Sequence, residues 1–216
     1  MYNYVPLMEE LETIFKDKKI LDLKTKVLIP SSNLSHKSPK TFKSPYTVAN
    51  PTPEYFQLDK DFLLRDIAMA SSVAPYYFKP KEIGCQFFWD GGLWANNPSL
   101  CGYIEAKRIC QGQANIKILS LGTGSQYQEY VAHKNLSKRG PIDPTFVIPY
   151  IIDIQSQAIS NQLQMLLGPE DIYKRVDCGF TCDMPLDDIS CIKDLVGKAK
   201  EMTQKNITDV LVKFFN

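Results

Sequence analysis

The feature that most constrains the fold of this 216-residue chain is an aspartate followed by two glycines, Asp90-Gly91-Gly92. Residues 86–90, which end at this aspartate, predict a short strand. The two glycines predict a sharp turn, because glycine adopts backbone conformations that are closed to other residues. Pro98 then suits the first turn of the next helix. The segment therefore predicts a strand, a turn and a helix, with a carboxylate at the end of the strand.

Helix patterns and strand patterns alternate along the chain. The predicted helices are residues 5–15, 61–72, 98–110, 148–166 and 191–214, and the predicted strands are residues 26–29, 86–90, 116–121 and 172–176. This alternation predicts an α/β fold, a three-layer sandwich with a mainly parallel central sheet, built as one domain over residues 1–216. Catalytic groups in such sheets collect at the carboxyl ends of the strands.

The end of the first predicted strand and the segment that follows it give two further predictions. The first strand is expected to stop at Pro30, and residues 31–58, rich in Ser, Pro, Thr and Asn, predict an irregular loop. Three lysines at positions 37, 40 and 43 are expected to be solvated in that loop rather than to form a basic patch.

The composition and the first residues restrict the class of protein. The chain is 44% hydrophobic and 23% charged with a formal net charge of +1, so no overall field attracts nucleic acid. The first residues lack a basic start and a continuous apolar core, which is unlike a signal peptide, and no apolar run is long enough to cross a bilayer. We expect a cytoplasmic protein, with peripheral attachment to membranes and secretion by another signal as alternatives.

The metal-binding residue types are poorly arranged for a metal site. No two of the six cysteines form a C-x-x-C pair, and only two histidines are present, His36 and His133. We predict no metal and no other cofactor. The histidines are expected in surface loops, and the cysteines as buried, reduced thiols.

The Asp90-Gly91-Gly92 segment has a plain and a functional interpretation. Asp-Gly is a common turn dipeptide, so an ordinary turn explains the segment when it is taken alone. In the functional interpretation, partial burial raises the pKa of the Asp90 carboxyl and makes it a better proton acceptor. Three other blocks favour the functional interpretation: Ala-Ser-Ser-Val-Ala-Pro at residues 70–75, Asn-Asn-Pro at 96–98 and Leu-Gly-Thr-Gly at 121–124.

These four blocks, in this order, resemble the second half of the patatin-like phospholipases. Weaker similarity at residues 173–176 and 187–189 extends the resemblance over nearly the whole chain. That family hydrolyses fatty acyl esters of glycerolipids with a serine–aspartate dyad. The resemblance implies a glycerolipid or phospholipid substrate. It also implies that Asp90, in its motif with Gly91 and Gly92, is the proton acceptor of the dyad.

The serine of the dyad is missing from this sequence. The family carries a glycine-rich oxyanion turn and a G-x-S-x-G serine elbow ahead of the matched blocks, and the 216 residues contain neither. Ser71 and Ser72 precede a proline and have structural counterparts in the family, and Ser125 lacks the closing glycine of an elbow. We therefore predict no nucleophile in this chain, a family domain truncated at its N-terminal side, and no activity of the chain alone. The strand edges exposed by such a truncation predict marginal stability or self-association.

Several functions stay open on the sequence. The chain is either a lipid acyl hydrolase module that needs a complementing chain with the serine, or a non-catalytic remnant or pseudoenzyme that binds lipid or protein. A weaker alternative is a phosphate-binding turn at Gly122-Thr123-Gly124, although the full phosphate-binding motifs are absent and a tight turn explains these residues. The apolar stripe of helix 148–166 suits packing on the sheet, and also contact with lipid.

Overall fold

The structure is a computed structural model that describes residues 2–45, 59–126, 144–180 and 188–215. The chain divides into two compact units, residues 1–114 and residues 115–216. The sequence-based expectation of one domain over residues 1–216 stays a prediction.

The first unit contains four helices and four strands among its described residues. Its elements are α1 (Val5–Phe15), β1 (Leu28–Asn33), β2 (Ser38–Lys43), α2 (Leu64–Ser72), β3 (Lys81–Ile83), β4 (Gln86–Asp90), α3 (Gly92–Ala95) and α4 (Ser99–Ile109), with a 3-10 turn at Ile20–Asp22. The predicted strand, turn and helix around the Asp-Gly-Gly segment are thereby confirmed. The strand ends at the aspartate, as expected.

The second unit combines short strands with two long helices. Its elements are β5 (Lys117–Leu121), β6 (Ser125–Gln126), α5 (Pro144–Leu166), β7 (Ile172–Val176), β8 (Gly179–Phe180) and α6 (Ile192–Phe215), with a 3-10 turn at Ile189–Cys191. The α/β composition predicted from the alternating patterns is therefore present in both units.

The strand pairing differs from the predicted sheet. In the first unit the strands lie in the order β2-β1-β4-β3, and all three pairs are antiparallel. Parallel pairing occurs in the second unit, where β5 pairs with β7 and β6 pairs with β8. A mainly parallel central sheet is thus not confirmed. Side-chain periodicity reports which residues are buried, and it does not report the direction of the neighbouring strand.

The predicted irregular loop at residues 31–58 is wrong in its first part, because residues 31–33 and 38–43 lie in strands. The strand also continues through Pro30, which pairs with Thr41 of β2. Strand β4 pairs only with residues 31–33 of β1, so Pro30 lies outside that second ladder, where a missing N–H is tolerated. Residues 46–58 of the predicted loop lie outside the described residues.

The prediction of solvated lysines is wrong for two of the three. Lys40 Nζ lies 2.6 Å from Oδ1 of Asp59, and the buried ammonium of Lys43 contacts the buried carboxylate of Glu105 on α4. Only Lys37, in the turn between β1 and β2, is exposed. The sequence pattern missed these pairs because both acidic partners are distant along the chain.

A compact apolar core joins α2 to the antiparallel sheet. Its buried members are Ile20, Phe42, Leu64, Ile67, Ala70 and Phe88. The rings of Phe42 on β2 and Phe88 on β4 lie 5.4 Å apart, and Phe42 also meets the edge of Phe62 at 5.8 Å. Burial of each large side chain contributes about 1.5–3 kcal/mol. This packing holds α2 against β1 and β4, next to the Asp-Gly-Gly turn.

Part of the apolar surface of the long helices in the second unit is exposed to solvent. The apolar side chains of α6 were predicted to pack inward, but six of them are exposed, namely Ile192, Leu195, Val196, Ala199, Ile207 and Leu211. A 24-residue helix is about 36 Å long, whereas a five-residue strand spans only about 17 Å, so β5 and β7 are too short to cover it. None of the described helices combines the length and the apolar character needed to cross a membrane.

The cysteines and histidines are only partly as expected. Five cysteines are described, at positions 85, 101, 110, 178 and 191, and none of these forms a disulfide. Cys85 is exposed and the other four are half-buried, so the prediction of buried thiols is wrong for all five described cysteines. His36 is exposed in the turn between β1 and β2, as predicted. Cys182 and His133 lie outside the described residues.

Candidate functional site

The predicted acid, Asp90, is the last residue of β4, and its backbone is bonded to two neighbouring elements. Asp90 pairs with Ser31 across the sheet, and its carbonyl oxygen accepts a hydrogen bond from Ser32 Oγ at 2.9 Å. Its N–H donates to the carbonyl oxygen of Val73, just beyond α2, at 3.1 Å. The strand end that carries the carboxylate is therefore fixed from both sides.

The carboxyl group of Asp90 is half-buried and has two unequal oxygens. Oδ1 accepts a hydrogen bond from the N–H of Gly92 at 2.7 Å, whereas Oδ2 makes no hydrogen bond to any described residue. Burial raises the pKa of this carboxyl above its ordinary value, and the hydrogen bond from Gly92 lowers it by a smaller amount. An oriented carboxylate with one open oxygen and a raised pKa suits the role of proton acceptor.

The two glycines of the motif are required for space rather than for an unusual backbone angle. Gly91 has a φ of −70°, which any residue can adopt, but a Cβ on it would lie 2.3 Å from the carbonyl oxygen of Pro30. A Cβ on Gly92 would lie 3.2 Å from Oδ1 of Asp90. The motif therefore allows β1 to approach the turn closely and leaves room beside the carboxylate, a reason that differs from the predicted turn conformation.

The Asn-Asn-Pro block that follows the motif has a structural role. Asn97 is buried, and its Oδ1 accepts hydrogen bonds from the N–H and the Oγ of Ser99 at 3.2 and 2.6 Å, at the start of α4. Trp94 donates from its indole Nε1 to the carbonyl oxygen of Ser31 at 2.9 Å. The Trp94 bond ties α3 to β1, and the Asn97 bonds fix the start of α4. The sequence did not single out Trp94 or Ser31, since nothing local signals a bond across more than sixty residues.

The two serines at the end of α2 both donate to backbone carbonyls. Ser71 Oγ donates to the carbonyl oxygen of Pro30 at 2.7 Å, and Ser72 Oγ donates to that of Ala68, one turn earlier in the same helix, at 2.8 Å. Their engagement with the backbone agrees with the structural role expected for them.

The Gly-Thr-Gly turn lies at the carboxyl ends of β5 and β7 in the second unit. Gly124 has a φ of +92°, in the region that favours glycine, and its N–H donates to Oδ1 of Asp177 at 2.9 Å. A Cβ on Gly122 would lie 2.1 Å from that carboxylate. Asp177 is held in turn by Arg175, whose Nη2 lies 2.5 Å from Oδ2. An internal carboxylate thus occupies the turn, which supports the tight-turn interpretation over the phosphate-binding one.

The remaining candidates are Ser125 and the metal-binding residue types. Ser125 begins β6 in the second unit, and its N–H donates to the carbonyl oxygen of Cys178 at 2.9 Å. Over residues 2–45, 59–126, 144–180 and 188–215, no three side chains of the metal-binding types are grouped so as to hold an ion.

Comparison with known proteins links the chain to one family. The family model for patatin-like phospholipase matches residues 1–100. The chain is similar to a protein named cGAMP-activated phospholipase from Escherichia coli, with 38% identity over 137 residues, covering 59% of this chain and 36% of that protein. A protein of the same name from Vibrio cholerae is 37% identical over 139 residues, covering 59% and 37%. A third, from Pseudomonas aeruginosa, is 29% identical over 183 residues, covering 84% and 53%.

The chain spans about a third to a half of the length of these relatives. The family match includes the first unit's antiparallel sheet, the end of α2, the Asp90 turn and the Asn-Asn-Pro block. The resemblance inferred from the sequence is thereby confirmed. Over residues 1–100 this chain is similar to the patatin-like phospholipase family, and the relatives it matches include phospholipases.

Proposed function

We propose that this chain supplies the acid of a lipid acyl hydrolase, with Asp90 as proton acceptor for a serine outside these 216 residues. The observation that supports this proposal is the state of the Asp90 carboxyl. It is half-buried, oriented through Oδ1 by the Gly92 N–H, and open at Oδ2. The serine would come from a preceding segment or from a complementing chain.

In the proposed reaction, the serine oxygen attacks the carbonyl carbon of a lipid ester while its proton passes to Oδ2 of Asp90. The carbonyl π-bond opens to an oxyanion, which then re-forms the carbonyl and breaks the bond to the glycerol oxygen. Asp90 returns its proton to that leaving alcohol. Water then attacks the acyl-serine, again giving its proton to Asp90, and the serine recovers that proton as the fatty acid leaves. A carboxyl of raised pKa is suited to both directions of transfer.

The substrate and the setting follow from the family and its named members. The family supports a glycerolipid or phospholipid substrate, and the relatives are named as phospholipases activated by cGAMP. We propose a phospholipid as substrate and include cGAMP as a candidate activator. We further propose a cytoplasmic location with peripheral contact to a lipid surface.

The proposal is tested by complementation. The chain is co-expressed with a polypeptide that carries a glycine-rich oxyanion turn and a G-x-S-x-G elbow, and release of fatty acid from phospholipid micelles is measured with and without cGAMP. We expect the pair to be active and Asp90→Asn to lower kcat about 10²–10⁴-fold, the range typical of a lost general base. The matched control is Asp61→Asn, which removes an exposed carboxylate paired with Lys19. A stable but inactive complex, or an Asp90→Asn variant with full activity, would refute the proposal.

A non-catalytic lipid-binding role is the second candidate, favoured by the lack of a G-x-S-x-G elbow in these residues. It predicts that the complex binds phospholipid vesicles in a sedimentation assay without releasing fatty acid, and that Asp90→Asn leaves binding unchanged. Turnover that depends on Asp90 would exclude it.

A further inference from the structure

We propose that Ser71 is a positioning residue for Asp90, acting through the carbonyl group of Pro30. The catalytic meaning of this inference rests on the proposed function. The positioning itself is a property of the chain and can be measured without turnover.

The first step of the argument is a contact chain from Ser71 to the Asp90 turn. The Pro30 carbonyl oxygen accepts a hydrogen bond from Ser71 Oγ at 2.7 Å. The same oxygen lies 2.3 Å from the position of a Cβ on Gly91, so it is packed against the backbone of that residue. Because Gly91 directly follows Asp90, the position of this carbonyl sets the path of the backbone out of β4.

The second step is that the same end of α2 bonds to both strands beside the site. Ser31 Oγ on β1 lies 2.9 Å from the carbonyl oxygens of Ala70 and Trp89. The N–H of Asp90 donates to the carbonyl oxygen of Val73. Residues 70–73 therefore connect β1, β4 and the turn, and Ser71 supplies the bond that reaches the turn through Pro30.

The third step concerns the oxygen that the carboxyl offers to a substrate. Oδ1 is engaged only while the N–H of Gly92 lies close to it, at 2.7 Å. Movement of the Pro30 carbonyl would let Gly91 and Gly92 shift, release Oδ1 and admit water beside the carboxyl. Ser71 thus helps to determine that Oδ2, and not Oδ1, is open for proton transfer.

The chain contains a matched control for Ser71. Ser72 is the next residue, it is also a serine near the helix end, and its Oγ donates to Ala68 within the same helix. Its side chain has no bond to β1. Loss of its hydroxyl should therefore leave the Asp90 turn unchanged.

The experiment is nuclear magnetic resonance of the chain and of Ser71→Ala, Ser71→Thr and Ser72→Ala. Amide hydrogen exchange is followed at Gly92 and, as a reference for global opening, at the buried Ile20, whose N–H donates to Phe62. The pH titration of the Asp90 side-chain carbon is followed in parallel. We expect Ser71→Ala to speed exchange at Gly92 about two- to tenfold relative to Ile20, the change typical of the loss of one hydrogen bond.

The titration supplies the second readout. We expect the pKa of Asp90 to fall toward its ordinary value in Ser71→Ala, because burial is the main cause of its raised pKa and a loosened turn admits water. Ser71→Thr, which keeps the hydroxyl, should restore both readouts, and Ser72→Ala should change neither. Equal acceleration at Gly92 and Ile20, or an unchanged Asp90 titration in Ser71→Ala, would overturn the proposal. If Ser71→Ala shifts Asp90 but the complemented enzyme is inactive, the positioning stands and the proposed function fails.

Discussion

Pro30 and Gly91 are in direct backbone contact, with the carbonyl oxygen of Pro30 only 2.3 Å from the position of a Cβ on Gly91. The turn after β4 therefore packs so closely against β1 that a residue with a Cβ atom does not fit at position 91. This contact places the carboxylate of Asp90, the proposed acid, since Asp90 immediately precedes Gly91.

Gly91→Ala should destabilise the chain severely, because the added methyl group meets backbone atoms that cannot move aside. We expect the free energy of unfolding to fall by about 3 kcal/mol, measured as the midpoint of urea denaturation. The control is Gly102→Ala in the middle of α4, where a Cβ has open space; it should raise stability by about 0.5–1 kcal/mol. If Gly91→Ala and Gly102→Ala change the free energy of unfolding equally, the Pro30 carbonyl does not lie close to Gly91 as described.

Asp90 should make the fold less stable at neutral pH than in acid. Its pKa is raised in the folded state, so the folded protein holds this proton at pH values where the unfolded chain, with a pKa near 3.8, has lost it. The contribution of Asp90 to stability therefore falls as the pH rises from about 3.8 through its folded-state pKa. Asp90→Asn should abolish this pH dependence and be at least as stable as the wild type at pH 7.

Urea denaturation of both proteins across pH 3–8 checks this expectation. Asp61→Asn is the control for replacing an exposed carboxylate elsewhere in the first unit. A wild-type stability that instead rises with pH relative to Asp90→Asn would mean that the pKa of Asp90 is lowered by folding.

Asp177→Ala should release the Gly122–Gly124 turn of the second unit. The carboxylate accepts hydrogen bonds from the N–H groups of Gly124 and Cys178 and pairs with Arg175. Hydrogen bonds to a charged group contribute about 1.5–3 kcal/mol, so hydrogen exchange at Gly124 should accelerate at least about tenfold.

The same carboxylate predicts the response to phosphate. Because Asp177 already occupies the donor at Gly124, inorganic phosphate should leave the Tm of the wild-type chain unchanged. A rise in Tm with phosphate would revive the phosphate-binding alternative for this turn.

The chain alone should self-associate through α6, whose exposed apolar side chains form a stripe with no cover among the described residues. Sedimentation velocity should show species larger than a monomer. Val196→Glu combined with Ile207→Glu, both within the stripe, should shift the chain toward monomer. Thr208→Glu, which adds a charge next to the stripe, is the control. A wild-type chain that sediments as a single monomer would contradict this prediction.

Several features of the site were predictable because they are local. The end of β4 at Asp90, the turn at Gly91 and the helix after Pro98 follow from neighbouring residues and their backbone preferences. The half-burial of Asp90 was expected from its place at a strand end. The order of the motif blocks also indicated the resemblance to the patatin-like phospholipases.

The tertiary structure alone decided which groups meet across long sequence distances. The pairing of Ser31 with Asp90, the bond from Ser71 to Pro30 and the antiparallel direction of the sheet depend on how β1 packs between β2 and β4. The periodicity of apolar side chains predicts which face of a helix or strand is buried, but it does not predict which other element packs against that face. The sequence by itself therefore predicted Asp90 as the acid and determined the elements that carry it. The folded packing determined which carboxyl oxygen is open and what holds it there.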